Sequence, residues 1–233
     1  MVYVQEILER MKTCVVIPTY NEAKSIAGLV KEIQGLNLEV IIVDDGSQDD
    51  TSRIAQESGA TVLKNQINQG KGASLIKGFS YVLSKDCDAV ITMDGDGQHL
   101  PSDIPYFLRL AEYSDNGILV GNRMLKRKKM PFIRVLTNKI MSALISKITQ
   151  QNVPDTQCGF RLIKRPVLEK INLKTSKYET ESEILIKASR LGFKIESVPI
   201  KTVYSGEKSQ INPFVDTLRF IKFLFRELWT LQS

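Results

Sequence analysis

Residues 94–98 read Asp-Gly-Asp-Gly-Gln, two carboxylates flanking a glycine directly after the apolar run 89–93, AVITM. A strand end can aim such a pair at one point, and glycine lets the backbone come close to a ligand. Two hard oxygen donors suit Mg²⁺ or Mn²⁺, which also take diphosphate oxygens and water, and Gln98 can add a carbonyl oxygen. The same letters also suit a simple turn, since Asp-Gly pairs form loops. A second acidic strand end, Val43-Asp44-Asp45-Gly46-Ser47, offers a carboxylate for a nucleobase or ribose. Its plainer alternative is a helix-capping turn built on Ser47 or Asp49. Asn68-Gln69-Gly70-Lys71-Gly72 looks like a phosphate-cradling loop at a helix start, but lacks the full Walker spacing. Lys71 suits a phosphate or a nucleotide carbonyl; the alternative is a glycine-rich turn. His99, the sole histidine, stands next to the carboxylate pair as a ligand or as a packed side chain.

Short apolar runs alternating with helical patterns must position these groups. Strands are expected at 14–18 (CVVIP), 40–43 (VIIV), 61–64 and 89–93, with helices at 22–34, 49–58 and 70–84, the first capped by Asn21. That order implies a mostly parallel sheet flanked by helices, an α/β fold whose ligands bind at the carboxyl ends of the strands. Further on, strands are expected at 118–120, 159–163 and 194–199, and helices from Pro131 to Thr149, over 179–191 and over 213–229. The last segment, PFVDTLRFIKFLFRELW, sets Phe214, Leu218, Ile221, Phe225 and Leu228 at helical spacing among Arg219, Lys222 and Arg226. Phe220, Phe223, Leu224 and Trp229 broaden its apolar side. Such a helix fits a bilayer interface, its own protein core or a second subunit. The helix from Pro131 repeats the theme beside the basic run 126–129, a pattern suited to anionic lipid or to plain solvation.

The chain has 233 residues with 42% hydrophobic and 25% charged, and it lacks linker-like or repeated stretches, so a single folded core is expected. The division is a short N-terminal extension (1–11), one catalytic domain (12–211) and an amphipathic C-terminal helix (212–233), with Met11 an alternative initiator. The net charge of +6 suits anionic lipid or a phosphorylated substrate. A nucleic-acid partner is not expected, because no recognition motif accompanies the charge. Cys14, Cys87 and Cys158 match neither a disulfide framework nor a zinc site, so reduced thiols and a cytoplasmic setting are expected. No stretch reaches the roughly 18–20 apolar residues of a membrane span. A peripheral protein on the cytoplasmic membrane face follows, with or without a membrane-anchoring partner.

Taken together, the motifs resemble the inverting family-2 glycosyltransferases, most closely the dolichyl- or polyprenyl-phosphate mannose and glucose synthases. The matching segments are VVIPTYNE (15–22), VDDGSQDDT (43–51), NQGKGAS (68–74), MDGDGQH (93–99), GNR (121–123), DTQCGFR (155–161) and GEKS (206–209). They recur in order across residues 15–210. The resemblance implies a GT-A fold, a nucleotide-diphosphate sugar (GDP- or UDP-hexose) and Mg²⁺ or Mn²⁺. It also implies site roles. Pro18, Tyr20, Glu22 and Asp45 would hold base and ribose, with Lys71 close by. Asp94, Gly95, Asp96 and Gln98 would hold metal and diphosphate. Arg123 and Arg134 would attract an acceptor phosphate. Arg161 would line the site beside Asp155, and Lys208 would close on the phosphates. Relatives often carry an arginine shortly before that lysine, where this chain has Val203-Tyr204-Ser205.

The implied reaction is inverting transfer of a mannose- or glucose-type hexose to a polyprenyl or dolichyl phosphate at a membrane surface. The alternatives are a soluble or polysaccharide acceptor and a sugar-nucleotide-binding module without turnover. Polysaccharide synthases of this family usually carry membrane spans and a Gln-x-x-Arg-Trp segment; the one tryptophan here, Trp229, sits in no such segment.

Overall fold

The computed structural model describes residues 2–124, 132–201, 203 and 213–229, with side chains over 6–124, 135–201, 203 and 219–227. In chain order the elements are α1 (Val2–Arg10), β1 (Thr13–Thr19), α2 (Ile26–Gln34), β2 (Glu39–Asp44), α3 (Thr51–Glu57), β3 (Thr61–Lys64), α4 (Lys71–Leu83) and β4 (Ala89–Thr92). A single 3-10 turn at Pro101–Asp103 leads into α5 (Ile104–Tyr113). Then come β5 (Ile118–Asn122), α6 (Phe132–Thr149), β6 (Arg161–Lys164), α7 (Arg165–Lys170), α8 (Glu179–Arg190), β7 (Ile195–Pro199) and α9 (Pro213–Trp229).

The strands form one sheet in the order β3-β2-β1-β4-β6-β5-β7. β6 alone is antiparallel to its neighbours β4 and β5, and the remaining pairings are parallel. The strand residues explain this. Val15–Ile17, Val40–Val43, Ala89–Ile91 and Ile118–Val120 are uninterrupted apolar runs whose side chains are all buried, the pattern of strands covered on both faces. The chain steps outward from β1 to β3 and then returns to lay β4 on the other side of β1. The reversal opens a crevice at the carboxyl ends of β1 and β4, where ligands of such sheets bind.

Several boundaries differ from expectation for local reasons. Asn21 does not cap a helix; it adopts a left-handed backbone (φ 59°), and α2 begins only after the following turn. Residues expected as an N-terminal extension form α1, whose Ile7 is buried in the hydrophobic core. The cysteines are not all reduced: Cys14, early in β1, is bonded to Cys87, just before the adjacent β4, and Cys158 is a buried thiol. The two partners lie 73 positions apart in sequence, so only strand adjacency brings them together.

α9 packs on α8 through Phe220, Phe223 and Leu224, and Arg190 of α8 binds Glu227 of α9 at 2.5 Å. Its exposed face carries Ile221, Lys222, Phe225 and Arg226. The helix is therefore apolar on both sides, and Ile221 and Phe225 of the expected stripe point away from the protein. Phe214, Leu218, Leu228 and Trp229 have side chains outside those described.

α4 and α8 meet at their starts, and a glycine permits it. A Cβ on Gly72 would stand 1.9 Å from Thr180 Oγ1 and 2.6 Å from the Lys177 carbonyl oxygen. Gly72→Ala is therefore expected to destabilise the protein by about 1–3 kcal/mol, as overpacking does, read as a lower urea midpoint at unchanged slope. Thiol titration of the unfolded, unreduced protein should find one reactive thiol, and after reduction three; three before reduction would exclude the Cys14–Cys87 bond.

Candidate active site

The carboxyl ends of β1, β2 and β4 are tied together by their own side chains. The Asn21 amide donates to Ser47 Oγ (2.9 Å), and Asn21 Oδ1 accepts from the Gln48 amide (2.9 Å). The Glu22 amide donates to Thr51 Oγ1 at 2.7 Å. Ser25 Oγ donates to the Gly95 carbonyl at 2.6 Å, joining the β1 and β4 ends. Pro18, Tyr20 and Glu22 sit half-buried on this rim, where the resemblance puts the nucleotide.

The two aspartates of β2 have structural tasks. Asp44 accepts from the Ser47 amide and from the hydroxyls of Ser47 and Ser52. Asp45 is buried, and its carboxylate accepts from Asn65 Nδ2 (2.9 Å), the Gln69 amide (2.9 Å) and the Gly70 amide (2.7 Å). Asp45 thus anchors the start of the Asn68–Gly72 loop from beneath, taking the amides of Gln69 and Gly70.

Asp94, Asp96 and Gln98 are half-buried at the end of β4. Asp96 Oδ1 accepts from the Gln98 amide at 2.9 Å, which turns the segment back on itself. The Lys71 ammonium lies 2.5 Å from Asp94 Oδ1 and 2.8 Å from Glu181 Oε1. Burial disfavours that ammonium, yet Asp94 and Glu181 outweigh it and hold its pKa above the ordinary lysine value. Burial likewise opposes the Asp94 carboxylate, but Lys71, with further help from Arg123, holds it well below the usual range.

His99 is not a ligand candidate. Its Nδ1 accepts from the Asp94 amide at 3.2 Å, so Nε2 carries the proton and faces Cys158 Sγ at 3.8 Å. Burial pushes its pKa down to about 4, against the attraction of Asp94, which leaves the ring neutral at pH 7. Its ring packs on Phe160.

β6 brings a loop from the far side of the sequence. Because it runs opposite to its neighbours, its first residues lie at the carboxyl edge of β4, where Thr92 Oγ1 donates to the Gly159 carbonyl at 2.7 Å. A Cβ on Gly159 would meet Asp94 Oδ1 at 2.6 Å and Lys71 Nζ at 2.9 Å, so a larger residue here would push the Asp94 carboxylate and the Lys71 ammonium from their places. Arg161 is a buried brace beside the site. It is 1% exposed, and its guanidinium donates to the carbonyls of Thr156, Cys158 and Glu181. It thereby fixes the Gly159 loop and the start of α8 together.

Arg123, at the end of β5, donates to both oxygens of Asp155 through Nε (2.8 Å) and Nη2 (2.9 Å). Asp155 is fully buried and also accepts from the Arg123 amide and from Asn138 Nδ2 of α6 at 2.7 Å. Burial opposes its charge, but Arg123 holds its pKa below the usual range. α6 has a mixed inward face. Ile145 is buried in the core, with Met141 and Ile148 packed against it, beside Asn138, Ser142, Ser146 and Thr149. The Ser142 and Ser146 hydroxyls bind the Thr156 and Val153 amides at 2.9 and 3.0 Å. Its outward face shows Leu136, Ile140 and Leu144, exposed by 43, 53 and 43%. The Arg134 side chain, the basic run 126–129 and Lys208 lie outside the described residues.

The donor set suits a divalent cation in type: Asp94 and Asp96 are hard carboxylates on one turn, with the Gln98 amide beside them and a lysine already balancing their charge. Among the described residues no three His, Cys, Asp or Glu side chains converge. The set is therefore open, as for an ion that completes its shell with diphosphate oxygens and water. Glu181 and Gly159 were not singled out from the sequence. A glutamate in the first turn of a helix suits the helix dipole, and nothing local marks it as Lys71's partner.

A family model described as Glycosyl transferase family 2 matches residues 14–172. A UDP-N-acetylglucosamine--dolichyl-phosphate N-acetylglucosaminyltransferase of Methanococcus voltae is 32% identical over 82% of this chain and 85% of its own length. A dolichol-phosphate mannosyltransferase of Pyrococcus furiosus is 35% identical over 76% of this chain, which spans about half (53%) of that longer protein. Among solved structures, the glucosyl-3-phosphoglycerate synthase of Mycobacterium tuberculosis, crystallised with Mn²⁺, UDP and phosphoglyceric acid, superimposes with a TM-score of 0.75. It is 21% identical, over 97% of this chain and 80% of the other, and this likeness establishes the GT-A fold.

Gly159→Ala is expected to weaken Mn²⁺-dependent nucleotide binding by about tenfold or more, roughly 1.4 kcal/mol, with the thermal unfolding midpoint little changed. Calorimetric titration of UDP or GDP with Mn²⁺ checks it, and unaltered affinity would mean the close approach does not matter.

Proposed function

The chain belongs to glycosyl transferase family 2, and on that premise we propose that it carries a hexose of mannose or glucose type from a GDP- or UDP-sugar to a polyprenyl or dolichyl phosphate, with inversion. Two relatives named for dolichyl-phosphate acceptors support the acceptor class. The observation that carries this reading is the exposed aliphatic stripe of α6. A helix that holds Asp155 through Asn138 and leaves Leu136, Ile140 and Leu144 exposed fits an apolar surface beside Arg123. Exposed Lys139 and Lys147 on the same helix suit anionic headgroups. Among the described residues no helix is long and apolar enough to cross a membrane, so the proposed association is lateral.

The chemistry asks little of the protein beyond placement. A lipid phosphate is largely dianionic at neutral pH, its second pKa being about 6, and can attack the anomeric carbon without a general base. The residues must bring two anions together and stabilise the leaving diphosphate. Arg123, held in a fixed fork by Asp155, supplies positive charge for the acceptor phosphate, joined by Arg134. Pro18, Tyr20, Glu22 and Asp45 line the donor side with Lys71 close by, and Gly95, Arg161 and Lys208 attend the phosphates. Asp94, Asp96 and Gln98 hold Mg²⁺ or Mn²⁺, whose contribution is Lewis-acid stabilisation of the diphosphate.

The test is a transfer assay with a short polyprenyl phosphate, Mn²⁺ or Mg²⁺ and a panel of GDP- and UDP-sugars. One donor should give a lipid-linked product that disappears with EDTA and falls by roughly a hundredfold or more in Asp96→Ala, the scale of losing a main electrostatic stabiliser. Product only with a soluble phosphorylated or sugar acceptor would move the assignment to that class. Donor binding without any turnover would make the chain a binding module.

A further inference from the structure

Lys71 is placed oddly for a residue meant to meet phosphate. Its ammonium bridges Asp94 (2.5 Å) and Glu181 (2.8 Å). The cage around it is tight. Gly159 covers it so closely that an added Cβ would stand 2.9 Å from Nζ. Gly72 locks the start of α4, which carries Lys71, against Thr180 and Lys177. Arg161 ties the Glu181 carbonyl to the Gly159 loop at 2.5 Å. Glu181 is 5% exposed, and a carboxylate so buried stays only with a charged or hydrogen-bonded partner. Its mate is the same ammonium that sits on Asp94.

A divalent cation on Asp94 and this ammonium compete for one carboxylate, and like charges at that distance repel. An ammonium with no second partner would hold the aspartate against the metal, or be driven out of a half-buried site at high cost. Glu181 removes that choice. We infer that Lys71 is a built-in stand-in cation for Asp94, and that Glu181 is a positioning residue that keeps the ammonium in place when the metal takes the aspartate. Charge at the β4 end is then balanced in both states, and metal affinity is set by how Lys71 divides itself between two carboxylates. Nothing in the sequence spacing indicates this, because Lys71, Asp94 and Glu181 come from the starts of two helices and the end of a strand.

The inference rests on Asp94 and Asp96 holding a divalent cation, and its test separates the two. Mn²⁺ binding is read as loss of the free-ion electron paramagnetic resonance signal, first with Mn²⁺ alone and then with UDP or GDP added. Lys71→Met should bind Mn²⁺ about tenfold more tightly than wild type, the order expected on removing one competing charge at contact distance. Glu181→Gln should bind it several-fold more weakly, because the lysine then rests on Asp94 alone. The deciding measurement is the double variant. Glu181→Gln should have little effect once Lys71→Met is present. An equal weakening in both backgrounds would mean that Glu181 acts through its own field, and the positioning role would be lost. Unchanged affinity in Lys71→Met would overturn the inference outright, and does so even where Glu181→Gln proves unable to fold. Wild type that binds no Mn²⁺ under any condition, or Asp96→Ala that binds it as well as wild type, would overturn the metal assignment itself.

Discussion

The site depends on one half-buried cation. Lys71 sits where the end of β4, the start of α4, the start of α8 and the loop before β6 come within contact of each other. Each approach is made possible by a residue chosen for what it lacks or for what it can satisfy. Gly72 lets α4 reach α8, and Gly159 lets the β6 loop reach Asp94. Arg161 donates to three carbonyls that tie the β6 loop to α8. Asp45 plays the matching part for the loop before α4, holding the amides of Gln69 and Gly70.

The parts of this arrangement that depend on neighbours in sequence were readable before the fold was known. The apolar runs of β1, β2 and β4 gave the parallel sheet, and the position of Asp94 and Asp96 immediately after β4 put them at its carboxyl edge. The parts that depend on approach between distant segments were not. Asp44 and Asp45 look alike in sequence, and only the packing of the 65–70 loop makes one a turn anchor and the other a clamp. Arg161 carries the same charge as Arg123, yet one is enclosed by carbonyls and the other is forked onto Asp155. Cys14 and Cys87 are paired by strand order alone. Asn21 was expected to cap α2 by residue type; its left-handed backbone instead serves to bind Ser47 and Gln48 across the crevice.

α6 follows a different physical logic from the ends of β1, β2 and β4. There the polar groups are knit into one another at the rim. α6 buries Ile145 in the core and turns Asn138, Ser142 and Ser146 onto residues 153–156, yet leaves Leu136, Ile140 and Leu144 exposed. A water-soluble helix normally keeps its large aliphatic side chains on the covered face, and the proposed lipid acceptor would give this stripe an apolar surface to meet.

The direction of β6 has a consequence of another kind. The chain leaves the sheet at the carboxyl end of β5, passes through α6 and re-enters at that same edge, because β6 runs backward between β4 and β5. The excursion between Asn122 and Gly159 therefore starts and finishes at one edge of the sheet, the edge that carries Asp94. Its length and character can diverge without altering the register of a single strand, so long as Asp155 and Gly159 keep their stations. The fold leaves this excursion free to be exchanged while the strand ends that carry Asp45, Asp94 and Asp96 keep their places.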